Sequence, residues 1–396
     1  MNIEKRFLDI QKILTKHSFL THKEALDRYP LSKNQYTDWI EDILALDTQE
    51  TIKLHNTLDD RIITNKDYAS FLQEAKKLTS LPQSEEAPTN FPINLSKKIT
   101  AKKRHEISYI LSLKPIKESN SFVDIGSGAG HLSSCILNKN QKKSICIDMS
   151  EDIQNIGKEK LKKISPDILS RVQFVTSKIS SSSSTEDFEE SDTLIGLHAC
   201  GDLSTIIVKA YGHSKIKNLI NFGCCYHKLA DDQFNISKIA MKNPLILTNH
   251  ALTMAAKFKP ENIKSYNEKL KVKKYRYSLH FLMLDELGLE FASVGNGLKE
   301  DYKLSFADYC YKFLPDSMEL SHAELENKYK SLQKKVTKVL ALGLIRSHLA
   351  RLIEIYIILD RALYLKENGI NVEIKEVFNK EISPRNILLR ATNSTL

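Results

Sequence analysis

The stretch SFVDIGSGAGHLSSCIL, residues 121–137, decides how the chain is read. A β-rich apolar run ends in an acid, Asp124, and then come Gly126, Ser127, Gly128 and Gly130 before His131 opens a helical pattern. Glycines at a strand-to-helix turn let the backbone approach a ligand closely. Their spacing is G-x-G-x-G, whereas a dinucleotide fingerprint requires a third glycine at 131, where His131 stands. A carboxylate just ahead of the turn would also repel a pyrophosphate. It suits a ligand that carries an ammonium and a sulfonium and no phosphate, which is the chemistry of S-adenosylmethionine.

A second acid supports that cofactor. Asp148 ends the next strand-like run, SICID, one strand-helix-strand unit downstream, where an acid can accept hydrogen bonds from both ribose hydroxyls. Met149 follows and is placed to pack on the adenine, and Ser177, just past the run RVQFV, completes the expected cofactor contacts. Glycines that make only a tight turn, with Asp148 merely capping a helix, are the bland alternative for either feature alone.

Around this stretch, helical and strand patterns alternate from residue 94 onward. Strands SFVDI, SICID, RVQFV, DTLIGL and NLINFG are separated by helical runs such as SEDIQNIGKEKLKKI and DLSTIIVKAY. That alternation predicts a parallel sheet with helices on both faces. NVEIKEVF and NILLRAT, joined by NKEISPR, predict a terminal antiparallel hairpin. Residues 1–79 hold no glycine and read as helices, and SLPQSEEAPTNFP packs three prolines into a polar stretch. We therefore expect an N-terminal helical domain and linker over 1–93 and the α/β domain over 94–396. Within the latter, a lysine- and tyrosine-rich insertion spans about 257–330. One long amphipathic helix follows it, with its stripe through Leu342, Ile345, Leu349, Leu352, Tyr356, Leu359 and Leu363. Serines 180–184 read as a loop.

Ligands of open α/β sheets bind outside the carboxyl ends of the strands. The fourth and fifth strands end in HACGD and GCCYHKL, which gathers His198, Cys200, Asp202, Cys224, Cys225, Tyr226 and His227 as candidate catalytic residues. One reading makes His198, Asp202 or His227 a general base, or a group that orients the acceptor for attack on a methyl carbon. A second has a cysteine thiolate add covalently to a pyrimidine ring. A third takes His198, Cys200, Cys224 and His227 as zinc ligands, at spacings too unlike a zinc ribbon to assign a metal. Taken alone, either of the paired cysteines reads first as a small buried hydrophobe ending a strand. No G-x-S-x-G elbow, P-loop or H-E-x-x-H helix is present, which argues against hydrolases of those kinds. The Asn/Asp-Pro-Pro-aromatic signature of amino-methyltransferases is also missing.

Taken together, VDIGSGAGHLS, LHACGDLS, GCCYHKL, ILDRALYL and SPRN, with KKRHEI at 102–107, resemble the methyltransferase-like protein 25 family over roughly residues 94–395. The resemblance implies a Rossmann-like class I methyltransferase: a mostly parallel seven-stranded sheet with a terminal antiparallel hairpin and an S-adenosylmethionine pocket. A shorter likeness links the H-x-C-G and C-C-x-H pieces to eukaryotic tRNA 2′-O-methyltransferases. In such a fold the SPRN turn either brings Arg385 within reach of substrate or lets it satisfy a carboxylate. Asp360 and Arg361 read as a structural ion pair.

Lysine plus arginine number 58 against 49 acidic residues, giving a net charge of +9, which suits an anionic partner. KLKVKKYRY places Lys273, Lys274, Tyr275 and Arg276 where phosphates could be neutralised and a base stacked, and KKITAKKR at 97–104 adds a second basic run. RNA (ribosomal or transfer) is the expected acceptor, with a protein side chain as the runner-up and a non-catalytic adaptor as the reading from another class. Six cysteines without a disulfide framework, no secretion-signal pattern, and charges within the most apolar segment predict a cytoplasmic protein that does not enter membranes.

Overall fold

A seven-stranded sheet carries the fold of the computed structural model, in which residues 2–28, 34–97, 99–180, 191–230, 234–255, 262–288, 295–314 and 320–393 are described. The chain divides into two compact units. One comprises Met1–Thr15, Ser80–Ala256 and Ile353–Leu396; the other comprises Lys16–Thr79 and Lys257–Leu352. The expected cut near residue 93 falls inside the first of these. Lys98 and most of the serine run, residues 181–184, lie outside the described residues.

In the first unit the strands are β1 (Ser121–Ile125), β2 (Lys143–Asp148), β3 (Val172–Thr176), β4 (Thr193–Cys200), β5 (Asn218–Cys224), β6 (Asn371–Glu376) and β7 (Ile387–Thr392), in the order β3-β2-β1-β4-β5-β7-β6. The first five run parallel, and β7 is antiparallel to both β5 and β6. This is the sheet of a class I methyltransferase, as the sequence predicts. Burial explains the residue choice. β1, β4 and β5 sit in the middle with both faces covered, so their sequences are near-continuous apolar runs rather than alternating ones. Chain order reverses between β1 and β4, which puts the switch-point crevice outside their carboxyl ends.

Helix Glu151–Ile164 shows how local sequence sets local structure. Ser150 caps it by accepting from the Ile153 N–H at 3.4 Å, acids occupy its first turn, and Lys162 and Lys163 its last. Gly157 lies in mid-helix, where glycine costs about 1 kcal/mol against alanine. The reason is contact: a Cβ there would collide with the Ala129 carbonyl in the glycine turn. The helix therefore packs directly on the turn.

The second unit joins helices Thr37–Ala45, Thr48–Thr57 and Lys66–Thr79 to helices Ile263–Leu287 and His322–Ser347. Trp39 stacks on Tyr68 with ring centres 4.6 Å apart, and the buried Arg346 donates to Glu24 at 2.8 Å. The single long helix expected to carry the stripe from Leu342 to Leu363 is two helices, His322–Ser347 and Ala350–Glu367, interrupted at His348 and Leu349. His348 Nδ1 and the Tyr68 hydroxyl lie 3.2 Å apart, so the interruption is held by a tertiary hydrogen bond that no apolar stripe reveals.

Candidate active site

The glycine turn is fastened from below. Gly126 and Ser127 N–H groups both donate to the Ile147 carbonyl, at 2.8 and 3.1 Å, and the Gly128 N–H donates to Asp148 Oδ2 at 2.8 Å. Asp148 Oδ1 accepts from the Ser150 N–H at 2.9 Å. Gly126, Gly128 and Gly130 all have positive φ, which an L side chain adopts only with strain. Met149 beside this turn is 72% exposed, an open apolar surface next to the crevice. Ser177 is exposed as well, and its N–H donates to the Asp148 carbonyl at 3.0 Å. His131 is half-buried and lines a small cavity with Leu95, Ile99, Gly157 and Lys160; burial, then the charges of Lys160 and Lys103, lower its pKa to about 4.

The two acids are not equivalent. Asp124 is 2% exposed and accepts from Ser133 Oγ at 3.0 Å, inside the packed layer rather than in an open cradle. Desolvation raises its pKa from 3.8 to about 6, against the hydrogen bond from Ser133. A raised folded pKa means the native state holds this proton more tightly than the unfolded chain does. The associated stability is complete below 3.8 and lost as pH rises through about 6, amounting to about 3 kcal/mol at 1.4 kcal/mol per unit. Asp124→Asn is thus expected to raise the unfolding free energy above pH 6, by an amount that shrinks as pH falls toward 4. Urea melts across that range check it, and a gain independent of pH would refute it.

At the ends of β4 and β5 the backbone departs from ideal strand geometry. The β4–β5 register slips between Leu197 and Ala199, and His198 at the slip has φ 56°. Non-glycine residues in this region are costly to hold and cluster at functional sites. The bulge leaves His198 Nε2 2.9 Å from Glu106 Oε1. Glu106 is 1% exposed on helix Ala101–Ile110, accepts from Ser383 Oγ at 2.6 Å, and has Lys102 Nζ 3.7 Å away. Burial alone would raise its pKa; the His198 and Ser383 hydrogen bonds and nearby positive charge outweigh that and hold it low. Glu106 is therefore a carboxylate that orients the imidazole. Sequence does not single it out, although KKRHEI contains it; the available signal was an acid beside Ile107 and Ile110 on the buried face of its helix.

Cys200, Cys224 and Cys225 converge, with sulfurs 3.1 Å apart for Cys200 and Cys224 and 3.7 Å apart for Cys224 and Cys225. The Cys224 hydrogen bond lowers the Cys200 thiol pKa to about 6, while the same interaction drives Cys224 upward.

The remaining candidates lie elsewhere. Asp202 Oδ1 accepts from the Ala230 N–H at 2.8 Å, so that carboxylate fastens a loop. His227 is exposed on the short turn Tyr226–Lys228. Tyr226 is not at the crevice surface: it is buried, donates to the Gly223 carbonyl at 3.2 Å, and has the guanidiniums of Arg361 and Arg385 5.9 and 5.8 Å from its ring centre. Of the two readings of Arg385, the structure supports the internal one, since it is 8% exposed and donates to the buried Glu354 at 3.1 Å. Asp360 and Arg361 take separate partners. Asp360 accepts from the Ile236 and Ser237 N–H groups, and Arg361 donates to Ser204 and Thr205. In the second unit, Tyr275 is not free to stack on a base, because it is buried against Phe306, Tyr309 and Tyr329 and donates to the Leu304 carbonyl at 2.9 Å. Lys273 is exposed, and Lys274 and Arg276 are half-buried.

Residues 102–232 match the family model described as methyltransferase domain. The chain is 26% identical over 193 residues to human "Probable methyltransferase-like protein 25", covering 44% of this chain and 32% of that protein. The mouse counterpart is 24% identical over 251 residues, covering 55% and 41%. The chain thus spans about a third to two fifths of the length of these relatives. Among solved structures, a Brevibacillus brevis polyketide O-methyltransferase in complex with S-adenosyl-L-homocysteine aligns at 11% identity and TM-score 0.26, covering 36% of this chain and 52% of its own. Coclaurine N-methyltransferase, bound to N-methylheliamine and SAH, aligns at 14% and 0.27, covering 46% and 61%. At such scores the fold assignment rests on the strand order and not on these alignments. No described helix is long and apolar enough to cross a membrane. Residues 102–232 thus match a methyltransferase domain, and over part of its length the chain is similar to methyltransferase-like protein 25.

Proposed function

We propose that the first unit is an S-adenosylmethionine-dependent methyltransferase and that its acceptor is RNA. The observation that carries the cofactor is the glycine turn at the β1/β4 switch point, with Asp148 clamped to the Gly128 N–H and Met149 exposed beside it. S-adenosylmethionine would lie over this turn, its ribose hydroxyls toward Asp148 and its adenine toward Met149; bound there, it supplies an already electrophilic methyl group. The chain's own part is then to orient the acceptor and remove its proton. His198, turned by the bulge and held by Glu106, is the group suited to that task. RNA is supported by charge: the net balance of +9 and the run Lys102, Lys103 and Arg104 in the same unit favour a polyanion.

Calorimetric titration with S-adenosylhomocysteine tests the cofactor. Asp148→Ala should weaken binding by about ten- to a hundredfold, the value of hydrogen bonds to a charged acceptor. No binding to the unaltered protein would refute the reading. Tritium transfer from labelled cofactor into cell extract, followed by separate nuclease and protease digestion, tests the acceptor. Label released by nuclease supports RNA, and label released only by protease makes a protein side chain the acceptor.

A further inference from the structure

We propose that Cys200, Cys224 and Cys225 bind one zinc ion at the joined ends of β4 and β5. Successive residues of a strand point to opposite faces, so neighbouring cysteines do not normally converge. Here they do, because β5 ends at Cys224 and Cys225 adopts φ 51°, a left-handed conformation costly for a non-glycine residue. On the facing strand, Cys200 is the register partner of Cys224, and this pairing lies beyond the slip at His198. Two departures from regular backbone thus bring three thiols to one point.

Their sulfurs all lie within 4.8 Å of one another. Zinc–sulfur bonds of 2.3 Å in a tetrahedron place sulfurs about 3.8 Å apart. Cys224 and Cys225, at 3.7 Å, already match, and Cys200, 3.1 Å from Cys224, needs only a small side-chain rotation. The set differs from the one considered from sequence: the ligand atoms that converge are the sulfurs of Cys200, Cys224 and Cys225, with neither His198 nor His227 among them. Cys200 is exposed and Cys225 half-buried, which gives an ion a way in and leaves a fourth coordination position toward solvent. In the metal-free protein the Cys224 thiol donates to the His198 carbonyl at 3.3 Å, a proton that metal binding would release, so the cluster adjoins the same bulge that aims His198. The remaining free cysteines Cys135, Cys146 and Cys310 are buried and fall outside this cluster.

The proposal does not depend on methyl transfer, and its test does not use activity. The full chain, purified under reducing conditions, should contain about one zinc per molecule by mass spectrometry, falling below about a tenth in Cys200→Ser and Cys225→Ser variants whose circular dichroism is unchanged. Metal-free protein titrated with Co²⁺ should develop a thiolate charge-transfer band that saturates at about one equivalent and loses about a third of its intensity in Cys225→Ser. The cobalt titration of the unaltered chain decides the matter even if a variant fails to fold. Reduced protein that holds no zinc and takes up no cobalt overturns the site. So does a Cys200–Cys224 disulfide whose reduction restores no metal binding, or cobalt bound equally well by both serine variants.

Discussion

Glu354→Ala is expected to lower the unfolding free energy of the sheet-bearing unit by about 3–5 kcal/mol, among the largest losses any single change in it should produce. Glu354 and Arg385 are 3% and 8% exposed and 3.1 Å apart. Removing the carboxylate leaves a guanidinium with almost no water and no full countercharge, beside a Tyr226 ring that already faces Arg361. Desolvation of the survivor, rather than loss of an attractive contact, sets the size of the effect. The double variant Glu354→Ala/Arg385→Met should therefore recover most of the loss, since it removes the stranded charge and keeps much of its volume. Guanidinium melts followed by circular dichroism measure both, and a single-variant loss below about 1 kcal/mol would mean that water reaches the pair.

His198→Ala is expected to slow methyl transfer by about 10²–10⁴-fold while leaving S-adenosylhomocysteine affinity within about twofold, the signature of a group that acts on the acceptor's proton. Glu106→Gln separates positioning from packing. It keeps the side chain's shape but removes the negative charge that faces His198 at 2.9 Å, and it should cost about tenfold or more in turnover with little change in fold. Single-turnover transfer of labelled methyl groups, with cofactor binding measured in parallel, checks both variants. Full activity in His198→Ala would show that proximity alone suffices for this acceptor.

Much of this was legible in the sequence because periodicity and glycine placement are local signals. SFVDIGSG announces a buried strand followed by a tight turn, and the alternation after it yields the sheet, including the antiparallel pair at the end. Burial across long sequence distances was not legible. Asp148 ends its strand and Asp124 stands one residue before the end of the neighbouring one, yet one clamps a backbone N–H and the other is enclosed beside Ser133. Tyr275 sits in a basic run that reads as a surface on which a base could stack, but its ring is taken up by residues 306, 309 and 329. Glu106 and His198 are 92 residues apart, and only the assembled helix and bulge make them partners. The slip at His198 is a register event between two strands, which neither strand's sequence specifies alone.

The second unit is assembled from Lys16–Thr79 and Lys257–Leu352, with the sheet's first five strands encoded between them. During synthesis at about 5–20 residues per second, the early helices leave the ribosome on the order of 10–40 s before the segment that completes their core is made. For that interval the Tyr68 hydroxyl lacks His348 and Glu24 lacks Arg346. Nascent chains of this protein should accordingly depend on holdase chaperones over a defined window of elongation, and the dependence should end once the second segment has emerged.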